Sequence, residues 1–488
     1  MKEYDVIVIG MGPAGMAVAG MAPSMGMKVL AVESHKVGGE CLNYGCIPSK
    51  ALLKAGEMAY STKKLDYFGI KPLSNLVVDN PLQFVRDKTP SINNMMAENM
   101  FQGVDFIIGK GLATFIDSHT VQVGEEQFRG NAIFIATGTE PFILPIPRIN
   151  DVPILTNQNV FSIARVPASL AVIGGGAIGS ELAQAFARLG SKVTVVQMDE
   201  FLVPIGDEEA GRVLEKQFIE EGIQVYNNTT IQKIEKQGRF IYTHTSSGVF
   251  ESEDLIVATG RKPVLEPLHL QNAGVSYDNK GIVVDEFNRT SQPHIFAVGD
   301  CNGKSLLSHA AMHQSMLSLM SLVSPSPIEA LKRSNYFIPW AVFTQPEIAQ
   351  VGMTEQEAKR EGIDCLVIKE DYATYARAIT DGQTLGFVKV ITDLQGNIYG
   401  ATIVGETASE LIHEWTLAMQ NKLTMFNIVM MQHAFPTISL LNKKVAEQWM
   451  MRAMQSGAMQ QMMNQLSDDQ WMMTEGHLSP AQQPVPVS

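Results

Sequence analysis

Cysteine is scarce in this chain, with four among 488 residues, at positions 41, 46, 301 and 365. That is too few for the disulfide framework of a secreted protein of this size. Long apolar runs are also missing, since none reaches the roughly 18 residues of a membrane span. The opening MKEYDVIVIG goes straight into a strand-like pattern without a cleavable leader, so a cytoplasmic location is expected. Positive charge is in deficit: 37 lysines and arginines face 50 acidic residues, a net charge of −13. This argues against a nucleic-acid surface and for plain solubility, while the lack of long apolar runs leaves no membrane partner expected. The composition is not that of a disordered chain either, because 45% of it is hydrophobic. A globular protein of three or four domains is expected.

What is present begins with DVIVIG at residues 5 to 10, a short β-branched run followed by Gly10, Gly12 and Gly15 in the spacing GxGxxG. A strand turning into a helix is implied. Glycine suits those positions because the turn is tight, the backbone must approach a pyrophosphate, and the helix N-terminus offers free N–H groups to the anion. Glu33 closes the next apolar run, VLAVE, where a carboxylate can accept ribose hydroxyls. The construction recurs at LAVIGGGAIG, with Gly174, Gly176 and Gly179, and the following run KVTVVQ ends at Gln197. Two such units imply two dinucleotides, most economically FAD and NAD(P)H exchanging hydride. Gln197 stands where an acid would favour NADH, yet no arginine or lysine lies between it and Gly211 to pair with a 2′-phosphate. NADH is the preferred donor, with use of both nucleotides left open.

Behind the first fingerprint lies GGECLNYGCIPSK, residues 38 to 50. Five residues of regular helix rise about 7.5 Å, beyond the roughly 7 Å limit on the Cα separation of a disulfide. A Cys41–Cys46 bridge therefore needs a distorted turn, which Gly45 and Pro48 permit. Cysteine near a helix start also has a lowered pKa, so a reducible, thiolate-forming pair is expected.

Further along come GKGLATF at 109, AIFIATGTEP at 132, LIVATGRKP at 255, IFAVGDC at 295, LLSHAAM at 306 and FTQPEIAQVGMT at 343. In this order the segments resemble the class I pyridine nucleotide-disulfide oxidoreductases, the family of dihydrolipoamide dehydrogenase, glutathione reductase and mercuric reductase, over residues 3 to about 450. The resemblance implies an α/β fold of two Rossmann-like dinucleotide-binding domains plus an α+β C-terminal dimerisation domain. The expected layout is an FAD domain at 1–150, an NAD(P) domain at 151–275, a return to the FAD domain at 276–340, an interface domain at 341–450 and a methionine-rich extension at 451–488. It places Ala113, Thr137 and Gly138 at the FAD adenosine end, Asp300 at the ribityl chain, and Leu306, Leu307, Ser308 and His309 beside the flavin. Gly260, within LIVATGRKP, is expected near the nucleotides. Lys50 and Glu181 match a pair the family sets beside the flavin ring to tune it. Electrons would pass from NAD(P)H through flavin to Cys46, whose thiolate would give a charge-transfer absorbance, and Cys41 would meet the substrate. A homodimer is expected, with a small-molecule disulfide, dithiol or metal ion as substrate and no resident metal.

One segment departs from the pattern. Disulfide-reducing members carry H-x-H-P-T-x-x-E, whose second histidine serves as acid-base catalyst across the dimer, whereas this chain reads HAFPTISL from 433. Phe435 replaces the histidine and Leu440 its glutamate partner. A positioned histidine contributes roughly 100- to 10,000-fold to such proton transfers, so Phe435 points first to a site repurposed for different chemistry and second to the loss of a dispensable function. His433 reads as structural, and Tyr44 is a local proton donor at most. Phenylalanine at that position occurs in the ketone-carboxylating branch, but Pro48, Ser49 and Lys50 are unaltered here. Mercuric reductases also lack the histidine but bring a C-terminal cysteine pair that this chain does not have.

Residues 450 to 473 hold eight methionines, and His477 follows. Thioethers suit Cu(I), although a chain with 27 methionines can also use them as adaptable core. The end, LSPAQQPVPVS, reads as disordered. Three functions remain open: a disulfide or dithiol enzyme working without the histidine, a metal-ion reductase, and a flavoprotein subunit with only diaphorase activity.

Overall fold

The β-branched run that opens the chain forms the strand Lys2–Ile9, and Val6 to Ile9 are buried, as befits the interior of a parallel sheet covered on both faces. In this computed structural model, which describes residues 1–71, 77–324, 326 and 328–457, that strand pairs in parallel with Val29–Glu33 on one side and Glu126–Ile135 on the other. Val104–Ile108 extends the sheet outward from Val29–Glu33, and Ile295–Ala297 lies beside the end of Glu126–Ile135. The first fingerprint is the turn from Ile9 into the helix Pro13–Met21.

The second fingerprint repeats this design. Ser169–Ile173 turns into the helix Ala177–Arg188 and pairs in parallel with Lys192–Val196 and Asp254–Val257, with Gln224–Tyr226 at the edge. Leu265, Leu268, Leu270, Ala273 and Val275 pack in one core with Tyr4, Ile7 and Ile133. The chain is thus back on the first sheet ahead of the 275 boundary read from sequence. The C-terminal unit is a five-stranded antiparallel sheet in the order Trp340–Val342, Glu347–Gly352, Ile398–Gly405, Phe387–Thr392 and Leu366–Asp371. The helices Ala408–Gln420 and Leu440–Gln455 close its core around the fully buried Trp415 and Trp449. The protein is α/β with a C-terminal α+β unit.

Two contacts fix the units against each other. The helix Cys46–Ser61 lies against Ala177–Arg188 so closely that a Cβ on Gly56 would stand 3.2 Å from the Ala185 carbonyl oxygen. Lys389, buried in the third sheet, donates to Asp207 at 3.0 Å and pairs with Glu209 at 2.7 Å, both from the second unit. A buried lysine without those carboxylates would be strongly destabilising. Among the described residues no helix is long and apolar enough to cross a membrane.

Candidate functional site

A cavity of about 520 Å³ runs from the first fingerprint to the seam between the two dinucleotide units. Gly10, Gly12, Glu33, Cys41, Cys46, Lys50, Ala113, Thr137, Gly138, Glu181, Asp300, Leu306, Leu307 and Ser308 line it, so residues spread over most of the sequence meet there. Gly15, Gly174, Gly176, Gly179, Gln197, Gly260 and His309 do not. His309 instead bonds the Pro339 carbonyl at 2.7 Å, and Gly260 accepts from the Phe142 N–H at 2.9 Å.

The glycines test whether a dinucleotide fits. Gly10 has φ of +95° and a Cβ there would fall 2.5 Å from the Ala136 oxygen, while a Cβ on Gly15 would fall 1.8 Å from the Gly10 oxygen. Those two serve the turn itself. Gly12, the residue before the helix, has nothing within 4 Å of a built Cβ, and Gly176 is the same in the second unit. The space a side chain would fill lies open at each helix N-terminus, where backbone N–H groups attract a pyrophosphate. Both sites fit a dinucleotide. Glu33 accepts from the N–H groups of Met11 at 2.7 Å and His35 at 2.8 Å, which holds its carboxylate at the cavity wall. Gln197 does the equivalent job at the second site, accepting from the Gly175 N–H at 2.9 Å and donating to Asp199 at 2.8 Å.

The cysteine motif is two helices, Gly39–Tyr44 and Cys46–Ser61, broken at Gly45. The break the spacing required is there, and it brings the two sulfurs to 2.9 Å as free thiols, Cys41 donating to Cys46. That hydrogen bond is the main reason the Cys46 thiol is lowered to about 6, against the upward push of burial, with help from Ser308 and the Lys50 charge. The same bond, together with burial, pushes Cys41 up. One proton shared unevenly between two sulfurs favours Cys46 over Cys41 as the thiolate. The Ser308 hydroxyl lies 3.4 Å from Cys46 Sγ. Lys50 reaches both carboxylate oxygens of Glu181, at 3.0 and 2.8 Å, across the unit boundary. Glu181 also accepts from the Phe343 N–H at 3.0 Å, and the Lys50 ammonium lies 4.3 Å from the centre of the Phe343 ring.

A polar network the sequence reading missed stands next to Cys41. Glu40 pairs with Arg261 and accepts from Asn157 at 3.2 Å and Gln158 at 2.6 Å. Arg261 in turn donates to the Thr139 hydroxyl at 2.7 Å, which donates to Asp300 at 3.1 Å. Burial pushes the Asp300 carboxyl up in pKa. Glu40 in the cysteine motif and Arg261 in ATGRKP were visible signals, but nothing along the chain paired them.

Phe435 is 76% exposed on the protomer. The His433 side chain is buried, with Nε2 at 3.0 Å from Glu414. Leu440 begins the helix Leu440–Gln455. Tyr44 lines the cavity. Met451 and Met454 are exposed on that last helix, whereas Met459, Met462, Met463, Met472, Met473 and His477 lie outside the described residues. Among the described residues no three His, Cys, Asp or Glu side chains form a group that could hold a metal ion.

Comparison with known proteins agrees with this geometry. Residues 4–315 match the pyridine nucleotide-disulphide oxidoreductase family, and residues 338–444 match the dimerisation domain of the same family. Dihydrolipoyl dehydrogenase of Thermus scotoductus is 35% identical over 449 residues, covering 90% of this chain and 96% of that protein. Mercuric reductase of Staphylococcus aureus is 34% identical over 433 residues, covering 86% and 78%. Among solved structures, the Cu(II) complex of the HOCl-induced flavoprotein disulfide reductase RclA from Escherichia coli superposes with a TM-score of 0.82 at 25% identity, over 92% of this chain and 99% of that one.

Proposed function

Since the chain belongs to the pyridine nucleotide-disulphide oxidoreductases, FAD-dependent enzymes that use NAD(P)H, we propose that its Cys41–Cys46 dithiol reduces a soft metal ion of the Cu(II) or Hg(II) type rather than a disulfide. The observation that carries this reading is a phenylalanine at 435, the position to which the family resemblance assigns the acid-base histidine. A disulfide becomes two thiols only by taking up two protons with its two electrons, and a positioned acid delivers them. A metal ion takes electrons alone. Two Cu(II) ions accept one electron each as the two thiolates close to a disulfide, and no proton moves to the acceptor. Thiolates are also the ligands a soft ion prefers. The relative named mercuric reductase acts on a metal ion of this kind, and the structural relative, named a disulfide reductase, binds Cu(II).

FAD, when bound, supplies the two-electron carrier between NAD(P)H and the thiols. Gly12 at its helix start would meet the FAD pyrophosphate, with Gly10 and Gly15 shaping the turn, and Gly176, with Gly174 and Gly179 shaping the turn, would meet that of the nicotinamide nucleotide. Glu33, Ala113, Thr137, Gly138 and Asp300 would hold the rest of the FAD. Lys50 fixes a positive charge over the seam, and Glu181 keeps that lysine in place. Cys46 is the thiolate on the inner side, and Cys41 carries the proton that an arriving metal ion displaces. The match to the dimerisation domain and the exposure of Phe435 support a homodimer in which Phe435 faces the partner subunit.

The test is anaerobic turnover of the full-length holoenzyme with NADH and either Cu(II) or lipoamide. Cu(II) is expected to be reduced about 100-fold faster than lipoamide or more, and Cys41→Ser is expected to abolish the difference. Lipoamide turnover that matches or exceeds Cu(II) turnover would sink the proposal.

The donor is proposed to be NADH. Asp199, exposed beside Gln197, and Glu200 place negative charge where a 2′-phosphate would sit. The nearest cation past Gly211, Arg212, is already committed to the Glu200 carbonyl at 2.7 Å and to Glu208 and Glu215. NADH should exceed NADPH in kcat/KM by about tenfold or more, because like charge beside the phosphate is repulsive. Asp199→Ala should narrow that ratio, chiefly through a lower KM for NADPH. Equal use of both nucleotides by the unaltered enzyme would refute it.

A further inference from the structure

The cysteine pair has a hydroxyl neighbour that the reading so far leaves without a task. Ser308 is the first residue of the helix Ser308–Val323, which reaches the cysteine motif at the cavity wall, and its Oγ lies 3.4 Å from Cys46 Sγ. The two residues are 262 apart in sequence, so the contact is made by the fold and not by a local turn. Three other groups face the same sulfur. Cys41 donates its thiol hydrogen from the preceding helix, Lys50 stands one turn along the Cys46 helix, and Glu181 reaches over from the second unit while bound to Lys50. Of these, Lys50 spends two of its three N–H donors on Glu181, whose negative charge takes back part of the Lys50 field at Cys46. Cys41 must give up its proton when it meets an acceptor. Ser308, 3.4 Å from Cys46 Sγ and carrying a hydroxyl that no other chemistry of the pair consumes, can donate to Cys46 before and after that event.

We propose that Ser308 is a catalytic hydrogen-bond donor that holds Cys46 as the thiolate, doing at the sulfur a job for which position 435 offers no imidazole. The hydroxyl proton stays on Ser308 throughout, so nothing is transferred to it or from it. A neutral donor is suited to the metal chemistry, because it stabilises a thiolate without offering a proton that competes with a soft cation for sulfur. The start of a 16-residue helix adds positive partial charge in the same direction. The Ser308 contact lowers both cysteine pKa values, in the direction the proposal requires. The assignment does not depend on which acceptor the enzyme uses.

The experiment uses full-length holoenzyme carrying Cys41→Ser, which leaves Cys46 as the one thiol of the pair and needs no reductant. Two readouts follow the Cys46 thiolate against pH: the long-wavelength absorbance of a thiolate beside oxidised flavin, and the rate of carbamidomethylation at Cys46 mapped by peptide mass. Adding Ser308→Ala is expected to raise both midpoints by about one to two pH units, the usual worth of a hydrogen bond to a charged group. Ser308→Thr should bring the midpoint back, and Ser308→Val, which has the shape of threonine without its hydroxyl, should behave like alanine. The threonine and valine forms thereby repeat the comparison at constant shape, should alanine disturb the helix start. Midpoints that stay with the parent in the alanine and valine forms, or that move together in the threonine and valine forms, overturn the proposal.

Discussion

Replacing Phe435 with histidine and Leu440 with glutamate is expected to raise lipoamide turnover by about 100- to 10,000-fold, the range a positioned general acid contributes, while leaving Cu(II) turnover unchanged or lower. The asymmetry follows from the proton count: the disulfide acceptor needs two protons and the metal none. A histidine at 435 can supply one of them and can also protonate the thiolates that a metal ion must find free. The protein should tolerate both changes. Phe435 is 76% exposed on the protomer, so its loss removes little packing within the chain. Leu440 opens the helix Leu440–Gln455, where a carboxylate meets the positive end of the helix dipole, although some contact with the C-terminal core is given up. Phe435→His alone should recover part of the gain, since the glutamate orients the ring without touching substrate. If the double substitution leaves lipoamide turnover where it was, the missing histidine is not what excludes disulfides, and the acceptor must be set elsewhere in the cavity.

Where the sequence was legible, the reason is local. GxGxxG can be read because its constraints act between near neighbours: a Cβ on Gly15 collides with the Gly10 oxygen five residues away, and a Cβ on Gly12 meets nothing. The break at Gly45 was legible for the same reason, as two cysteines five apart cannot meet across a regular helix. What escaped is long-range. Glu40 and Arg261 pair across 221 residues, and Ser308 reaches Cys46 across 262, with no periodicity or spacing to announce either. The second nucleotide site shows both regimes. Gln197 was found at the end of its strand by position, but its partnership with Asp199 depends on side-chain geometry that one-dimensional spacing does not carry. The return to the first sheet was read late because Glu266–Leu268 and Leu270–Ala273 are short 3₁₀ turns, too brief for an apolar period to mark which core they join.

Gly12→Val and Gly176→Val should separate the two nucleotide sites by their failures. Both glycines have extended backbone that valine adopts without strain, with φ of −72° and −73°, and neither has an atom within 4 Å of a built Cβ. Each variant is therefore expected to fold with a melting profile close to that of the parent apoprotein. The cost falls on the ligand, because the branched side chain occupies the space in which a pyrophosphate would meet the helix N-terminus. Gly12→Val should purify without flavin, its FAD affinity down by about 100-fold or more, which is a loss of roughly 3 kcal/mol. Gly176→Val should keep its flavin and be reduced normally by dithionite, yet require a far higher NADH concentration for reduction of the same flavin. Gly15→Ala is the control for folding, since its Cβ would fall 1.8 Å from the Gly10 oxygen and the strand-to-helix turn itself must give way. Full flavin content in Gly12→Val would remove the FAD pyrophosphate from the first fingerprint. Flavin loss in Gly176→Val with NADH affinity intact would reverse the order of the two sites along the chain.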